Sequence, residues 1–277
     1  MKNKQKHIYL KYLPKQKGGR IENLTTFKKV CNSKEASTQL VGIKSLKDPL
    51  ESDSFIHVVL SKYKNEDLIV KIQEPGKMLT TELKIQKELA NQTNVVHYIC
   101  DFPCLFNSTW KNPIEKPKTF CDTEGTEYHM IIMEYINNDL ADFLEKDHTQ
   151  DNLISIVKQV GFSLLEIHMN HKIHHGDINR GNLLVDFSIP KEIEYKVGKY
   201  SKKVNTLGYE FVLIDFQRGN IIKTEEEDTL FQLAIDEISL AYELMSKWSG
   251  KKILESLMNR IMICKSVEEV FSILGSL

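Results

Sequence analysis

Glycine and proline are scarce, at 13 and 7 of 277 residues, which excludes collagen-like and low-complexity classes. Neither charge sign is in excess: Lys+Arg 37 against Asp+Glu 38 gives a net charge of −1. No global field therefore draws the chain to nucleic acid or to a membrane surface. No stretch approaches the ~18 consecutive apolar residues of a membrane helix, and the Lys-rich N-terminus lacks the apolar run of a signal peptide. No membrane partner is expected. Cysteine is also sparse. Cys31, Cys100, Cys104, Cys121 and Cys264 make an odd set without zinc spacing, which predicts reduced thiols in a cytoplasmic compartment. What is present is apolar material, 41% of the chain. That excludes disorder and suffices for a core in one large two-lobed domain or two small ones.

Residues 1–34 carry ten Lys or Arg against the single acid Glu22. They read as a solvated basic extension, and as the one place where a nucleic acid or acidic partner would bind. From about residue 38 the pattern alternates as strands do. Gln39–Ile43, Phe55–Leu60 and Asp67–Ile72 come first, then a helix over Met78–Ala90, then strands at Val95–Cys100 and His129–Glu134. A Pro-interrupted connection from Phe102 to Tyr128 reads as a surface elaboration. After residue 135 helical spacing dominates. Asp151–Met169 carries an apolar stripe, and Asp228–Lys247 is apolar nearly all round, as a buried helix is. Strands first and helices afterwards predict an α+β chain: a small strand-rich lobe over 35–134, a shortened helical lobe over 135–277, and a cleft between them.

Three stretches carry chemistry. His175-Gly176-Asp177-Ile178-Asn179-Arg180-Gly181-Asn182 precedes the apolar run Leu183-Leu184-Val185. Asp177 can accept a proton from an attacking hydroxyl, and the amide oxygen of Asn182 can hold a magnesium ion. The apolar strand Phe211–Ile214 ends in Asp215-Phe216-Gln217, delivering a second carboxylate to a cleft edge. Lys71 lies inside the apolar strand Ile69-Val70-Lys71-Ile72 and needs a partner; Glu82 on the next helix can supply it. His168, His171, His174 and His175 lack a helical i, i+4 pair with a nearby Glu, so no metal site is expected there.

The order of these pieces resembles the protein-kinase superfamily over most of the chain after residue 38. His175-Gly176-Asp177 with Asn182 is similar to the catalytic-loop motif, with Gly in place of Arg. Asp215-Phe216-Gln217 is similar to D-F-G with Gln in place of Gly, and Ile69-Val70-Lys71 to the lysine strand. The resemblance puts Met133 at the gatekeeper position and Glu134, Tyr135 and Ile136 at the hinge. It gives Asp228 the task of bracing the catalytic loop. Glu194–Lys199 and Leu207–Phe211 resemble the hairpin insertion of haspin-type kinases and of kinase-like proteins of large DNA viruses. For a viral protein the compartment would be the host cytoplasm or the virion.

The resemblance implies ATP and Mg2+ as cofactors and a protein Ser/Thr hydroxyl as acceptor. Lys71 and Glu82 would clamp phosphates, Asp177 would be the base, and Asn182 and Asp215 would hold the metal. Departures keep two alternatives open. No G-x-G-x-x-G precedes Lys71, and Gln217 replaces a glycine, which fits a pseudokinase binding module. Gly176 and the absence of an A-P-E segment also fit small-molecule phosphotransferases of the aminoglycoside/choline kinase type. Gly176 removes the arginine that docks an activation-loop phosphate, and Thr224 is followed by Glu225, Glu226, Glu227 and Asp228. Like-charge repulsion then predicts activity that does not depend on loop phosphorylation.

Overall fold

The computed structural model describes residues 40–47, 56–63, 66–106, 121, 125–146, 148–187, 190–223 and 226–277. The basic extension 1–34, Pro113, Pro117 and Thr224 lie outside the described residues.

The first part is one antiparallel sheet with a helix against it. Its strands are β1 (Val41–Lys47), β2 (Ile56–Tyr63) and β3 (Glu66–Gln73), then, after helix α1 (Lys77–Glu88), β4 (Tyr98–Phe106) and β5 (Thr126–Glu134). The sheet order is β1-β2-β3-β5-β4. The two-residue side-chain period of a strand splits β3 between two environments. Leu68, Val70 and Ile72 join Met130 and Ile132 in a core on one face. Ile69 lies on the other face with Ile131 and Met133, and that face also carries Lys71.

Two expectations fail in this sheet. Strand β4 begins at Tyr98 rather than Val95 and runs through Pro103 to Phe106. It is an edge strand, and an edge tolerates a residue with no N–H to donate. The thiols are not all reduced: Cys104 is joined to Cys121 in a disulfide with Cα atoms 5.2 Å apart, and Cys100 is disulfide-bonded as well. Spacing along the chain could not show this, because Cys121 meets β4 only through the fold. Among the described residues Cys264 alone is a free thiol, and it is buried.

The second part is mainly helical. It contains β6 (Asn138–Asp139), α2 (Leu140–Leu144), α3 (Gln150–His171), β7 (Ile173–His174), β8 (Leu183–Phe187), the hairpin β9 (Glu192–Val197) and β10 (Tyr200–Asn205), β11 (Tyr209–Leu213), β12 (Asn220–Ile221), α4 (Glu227–Ser249), α5 (Lys252–Met262) and α6 (Val267–Gly275). Thr149 caps α3 by accepting from Asn152 N–H, and Lys172 ends it in the left-handed region at φ 54°. The apolar stripe of α3 (Ile156, Val160, Leu164, Ile167) packs into one core with Ala234, Ile238, Ala241 and Met245 of α4. Each fully buried Leu or Ile there contributes ~1.5–3 kcal/mol relative to exposure. Among the described residues no helix is long and apolar enough to cross a membrane.

A buried polar network fixes where the two parts meet. Asn94 Nδ2 donates to Phe211 O at 2.7 Å, and Tyr195 Oη donates to Asn94 Oδ1. Gln159 Oε1 accepts from Phe211 N–H at 2.9 Å while its Nε2 donates to Tyr209 O at 2.9 Å. Strand β11 is thus tied to α3, to the β9–β10 hairpin and to the segment entering β4. Every member is satisfied, so the network specifies one geometry rather than adding a desolvation cost.

Candidate active site

Four elements converge on one cleft. Strand β3 brings Lys71 and α1 brings Glu82. Leu79, Glu82, Ile85 and Gln86 are the buried residues of α1, and the three- and four-residue spacings among them put Glu82 on the face turned to the sheet. Lys71 Nζ lies 2.6 Å from Glu82 Oε1 and 2.8 Å from Asp215 Oδ1. Burial of Lys71 alone would lower its pKa. The adjacent Glu82 and Asp215 carboxylates more than offset this and raise it above the ordinary 10.5. Asp215 itself is held at φ 63° and ψ 72°, a conformation uncommon outside glycine. Such strain persists where the surroundings over-determine it, and here β11, anchored by the Asn94 network, and the short helical turn Phe216–Arg218 fix the residues on either side.

Strand pairing supplies the next contact. Leu213 of β11 is in register with Leu183 of β8, so Ile214 N–H donates to Asn182 O at 3.1 Å. Asn182 stands just before β8, and Asp215 just after Ile214. Asn182 Nδ2 donates to Asp177 O at 2.9 Å and to Asp177 Oδ2 at 3.2 Å, closing the loop between the two residues. Arg218 Nη1 lies 3.6 Å from Asp177 Oδ1. His175 is fully buried; its Nδ1 accepts from Asp177 N–H at 3.2 Å, so Nε2 carries the proton and donates to Ile214 O at 2.8 Å. Burial lowers the pKa of this imidazole, and the neutral ring suits that bonding. The ring also packs on Phe216, with centroids 4.7 Å apart.

The walls of the cleft are apolar: Val58, Ile69 and Val96 from the sheet side, Leu184 and Ile214 from below. Met133, Glu134, Tyr135 and Ile136 line one edge, and Lys71 and Asp215 close the inner end. Its volume is about 230 Å³, a little under the ~300–1,000 Å³ of ordinary small-molecule pockets. Glu134 exchanges both backbone hydrogen bonding and a side-chain bond with His97: its N–H donates to His97 O at 3.1 Å, and its Oε1 accepts from His97 N–H at 2.7 Å.

The residue that braces the loop from His175 to Asn182 is not Asp228. That residue is exposed in the first turn of α4. Glu237, farther along the same helix, is 4% exposed and accepts from His175 N–H at 3.2 Å and Gly176 N–H at 2.7 Å. The available signal was the spacing of Glu237, three residues after Ala234 and four before Ala241, which puts it on the apolar face of the helix while its neighbour Asp236 is exposed. Gly176 also has a reason beyond the missing arginine. Its φ is +73°, and a Cβ there would lie 2.6 Å from Arg218 O. Gly176→Arg, which writes the more common motif, is therefore expected to destabilise the fold by ~1–3 kcal/mol. Its urea midpoint should fall below that of the unaltered chain, and an equal or higher midpoint would contradict the role given to this glycine.

Comparisons with known proteins follow the same line. Residues 45–247 match the model of the ABC1 atypical kinase-like domain, a span well over half the chain. No curated protein sequence matches. Among solved structures, the kinase PK-1 of Cydia pomonella granulovirus superposes with a TM-score of 0.53. The match covers 84% of this chain and 93% of that one at 14% identity, a likeness of fold. The strand-rich sheet with its single helix, the helical part behind it and the cleft between them are thus the α+β kinase-like architecture, and the chain belongs to the ABC1 atypical kinase-like family of the protein-kinase superfamily.

Proposed function

We propose that the chain transfers the terminal phosphoryl group of ATP to a serine or threonine hydroxyl of a protein. The observation that supports this best is the Lys71 ammonium held between Glu82 and Asp215 at the inner end of an apolar cleft, with Asp177 and Asn182 on the adjoining loop. Adenine would lie between Ile69, Val96 and Leu184, against the backbone of Glu134–Ile136. Lys71, positioned by Glu82, would bind the inner phosphates. Asp177 would orient the acceptor hydroxyl and take its proton. Catalysis of this kind is positioning plus charge stabilisation.

The donor set suits Mg2+. Asp215 offers a partly exposed carboxylate. Asn182 directs its amide nitrogen to Asp177, leaving its oxygen as the ligand atom. Hard oxygen ligands of this type are what magnesium selects. Bound there with nucleotide phosphates, the ion would offset charge developing on the transferred group.

Thermal-shift titration with ATP and Mg2+, paired with radiolabel transfer to generic acidic and basic proteins, tests the reading. Nucleotide at about 100 times its Kd is expected to stabilise the fold by ~2.7 kcal/mol, and label is expected on Ser/Thr. Stabilisation without transfer would favour a binding module, and label only on small hydroxyl compounds would overturn the protein substrate. No stabilisation would remove the nucleotide site altogether.

A further inference from the structure

Three side chains outside the cleft meet behind the catalytic loop: His168 near the end of α3, His174 in β7 and Glu237 of α4. Their ligand-capable atoms all lie within 4.8 Å of one another. We propose that they form a binding site for a borderline divalent transition-metal ion of the zinc class, separate from the Asn182/Asp215 pair and independent of the phosphotransfer reading.

The decisive atom is His168 Nε2. The ring is fully buried, and its Nδ1 lies 2.8 Å from Leu164 O, which can only accept, so Nδ1 carries the proton. In the neutral ring Nε2 is therefore a bare lone pair. It has no hydrogen-bond partner, yet it lies 3.3 Å from Glu237 Oε2, a second acceptor. Two acceptors this close in a buried site call for a cation. A bridging water does not fit, because its two donor directions diverge too widely to span 3.3 Å with bonds of normal ~2.8 Å length. A metal can meet all three groups. Ligands at ~2.0–2.1 Å in tetrahedral array stand ~3.3–3.4 Å apart; His168 Nε2 is 3.3 Å from Glu237 Oε2 and His174 Nε2 is 3.2 Å from Glu237 Oε1, so a small turn of the carboxylate would present one oxygen to an ion between the two rings.

The surroundings match as well. A histidine ligand typically donates its other ring N–H to a carbonyl, which fixes the tautomer, as His168 does to Leu164. Glu237 is oriented by the N–H groups of His175 and Gly176. Two imidazoles and one carboxylate select the zinc class over magnesium, and they leave a fourth position for water. His174, with its side chain 29% exposed, provides the way in. The ion would pin α3, β7 and α4 together directly beneath His175 and Gly176.

The test uses the full chain, stripped with a chelator and titrated with Co2+ as a spectroscopic probe, then with Zn2+ in competition. One equivalent of Co2+ with tetrahedral ligand-field absorption, displaced by Zn2+, is expected. His168 is buried in the core, so His174→Gln carries the comparison: it should keep the circular dichroism spectrum and lose the absorption, with affinity down at least ~10-fold. Asp215→Asn should keep the absorption, which separates this site from the magnesium pair. Absence of stoichiometric Co2+ or Zn2+ binding to the unaltered chain would overturn the site and leave a protonated His168–Glu237 pair. Unchanged binding in His174→Gln, or loss in Asp215→Asn, would overturn it too.

Discussion

Replacing Asp177 with Asn is expected to lower phosphoryl transfer by roughly 10²–10⁴-fold, the ordinary contribution of a positioned general base. Asparagine has the same size, and the main-chain oxygen that accepts from Asn182 remains. The Lys71–Glu82–Asp215 cluster does not involve this residue. Nucleotide-induced stabilisation should therefore survive while transfer is lost. Single-turnover transfer measured beside the thermal shift separates the two. Full transfer by the variant would move the base to another residue; loss of both readouts would show that Asp177 holds the fold instead.

The second large effect is expected at Lys71. Lys71→Met removes the cation that bridges two carboxylates, one of them, Glu82, fully buried. Breaking a buried ion pair from one side costs about 3–5 kcal/mol, because the partner charge stays behind. A pH dependence follows from the raised lysine pKa. The folded-state value lies above the ordinary 10.5, so the folded state holds this proton more tightly than the unfolded chain does. The resulting stability is complete below about the unfolded value and is lost as pH climbs through the folded one. Urea unfolding near neutral pH and again in the alkaline range tests both halves. The variant should be much less stable near neutrality, and the gap to the unaltered chain should narrow in alkali. A gap that stays constant, or no gap at neutrality, would contradict the clamp.

Elements with strong local periodicity were legible in the sequence. The alternation of β3 and the apolar stripe of α3 stand out because their burial follows the backbone period directly. The order of the Lys, Glu, Asp–Asn and Asp–Phe pieces also pointed to one cleft, and those residues do lie side by side. The parts that escaped depend on three-dimensional neighbours. Pro103 reads as a strand breaker unless β4 is known to be an edge. Cys104 and Cys121 are 17 residues apart, and the fold, not their spacing, brings them together. The family resemblance assigns the loop brace to Asp228, but rotation and depth along α4 choose Glu237. The same rotation supplies the carboxylate that the cluster of histidines lacked along the chain.

The Lys71 arrangement has a consequence for how such a site is controlled. Many ligand sites exist in their competent form only as a minor population, and apparent affinity falls by that fraction. Here helix α1 already carries Glu82 to Lys71, and Asp215 is already turned inward. On the reading proposed above, nucleotide would meet the clamp already assembled, and a first ligand would gain it little affinity by pre-assembling that clamp. A regulator of this chain has one direction left in which to act. It must bind a form in which α1 has moved away, and its maximum effect is set by how much more tightly it holds that form than the assembled one.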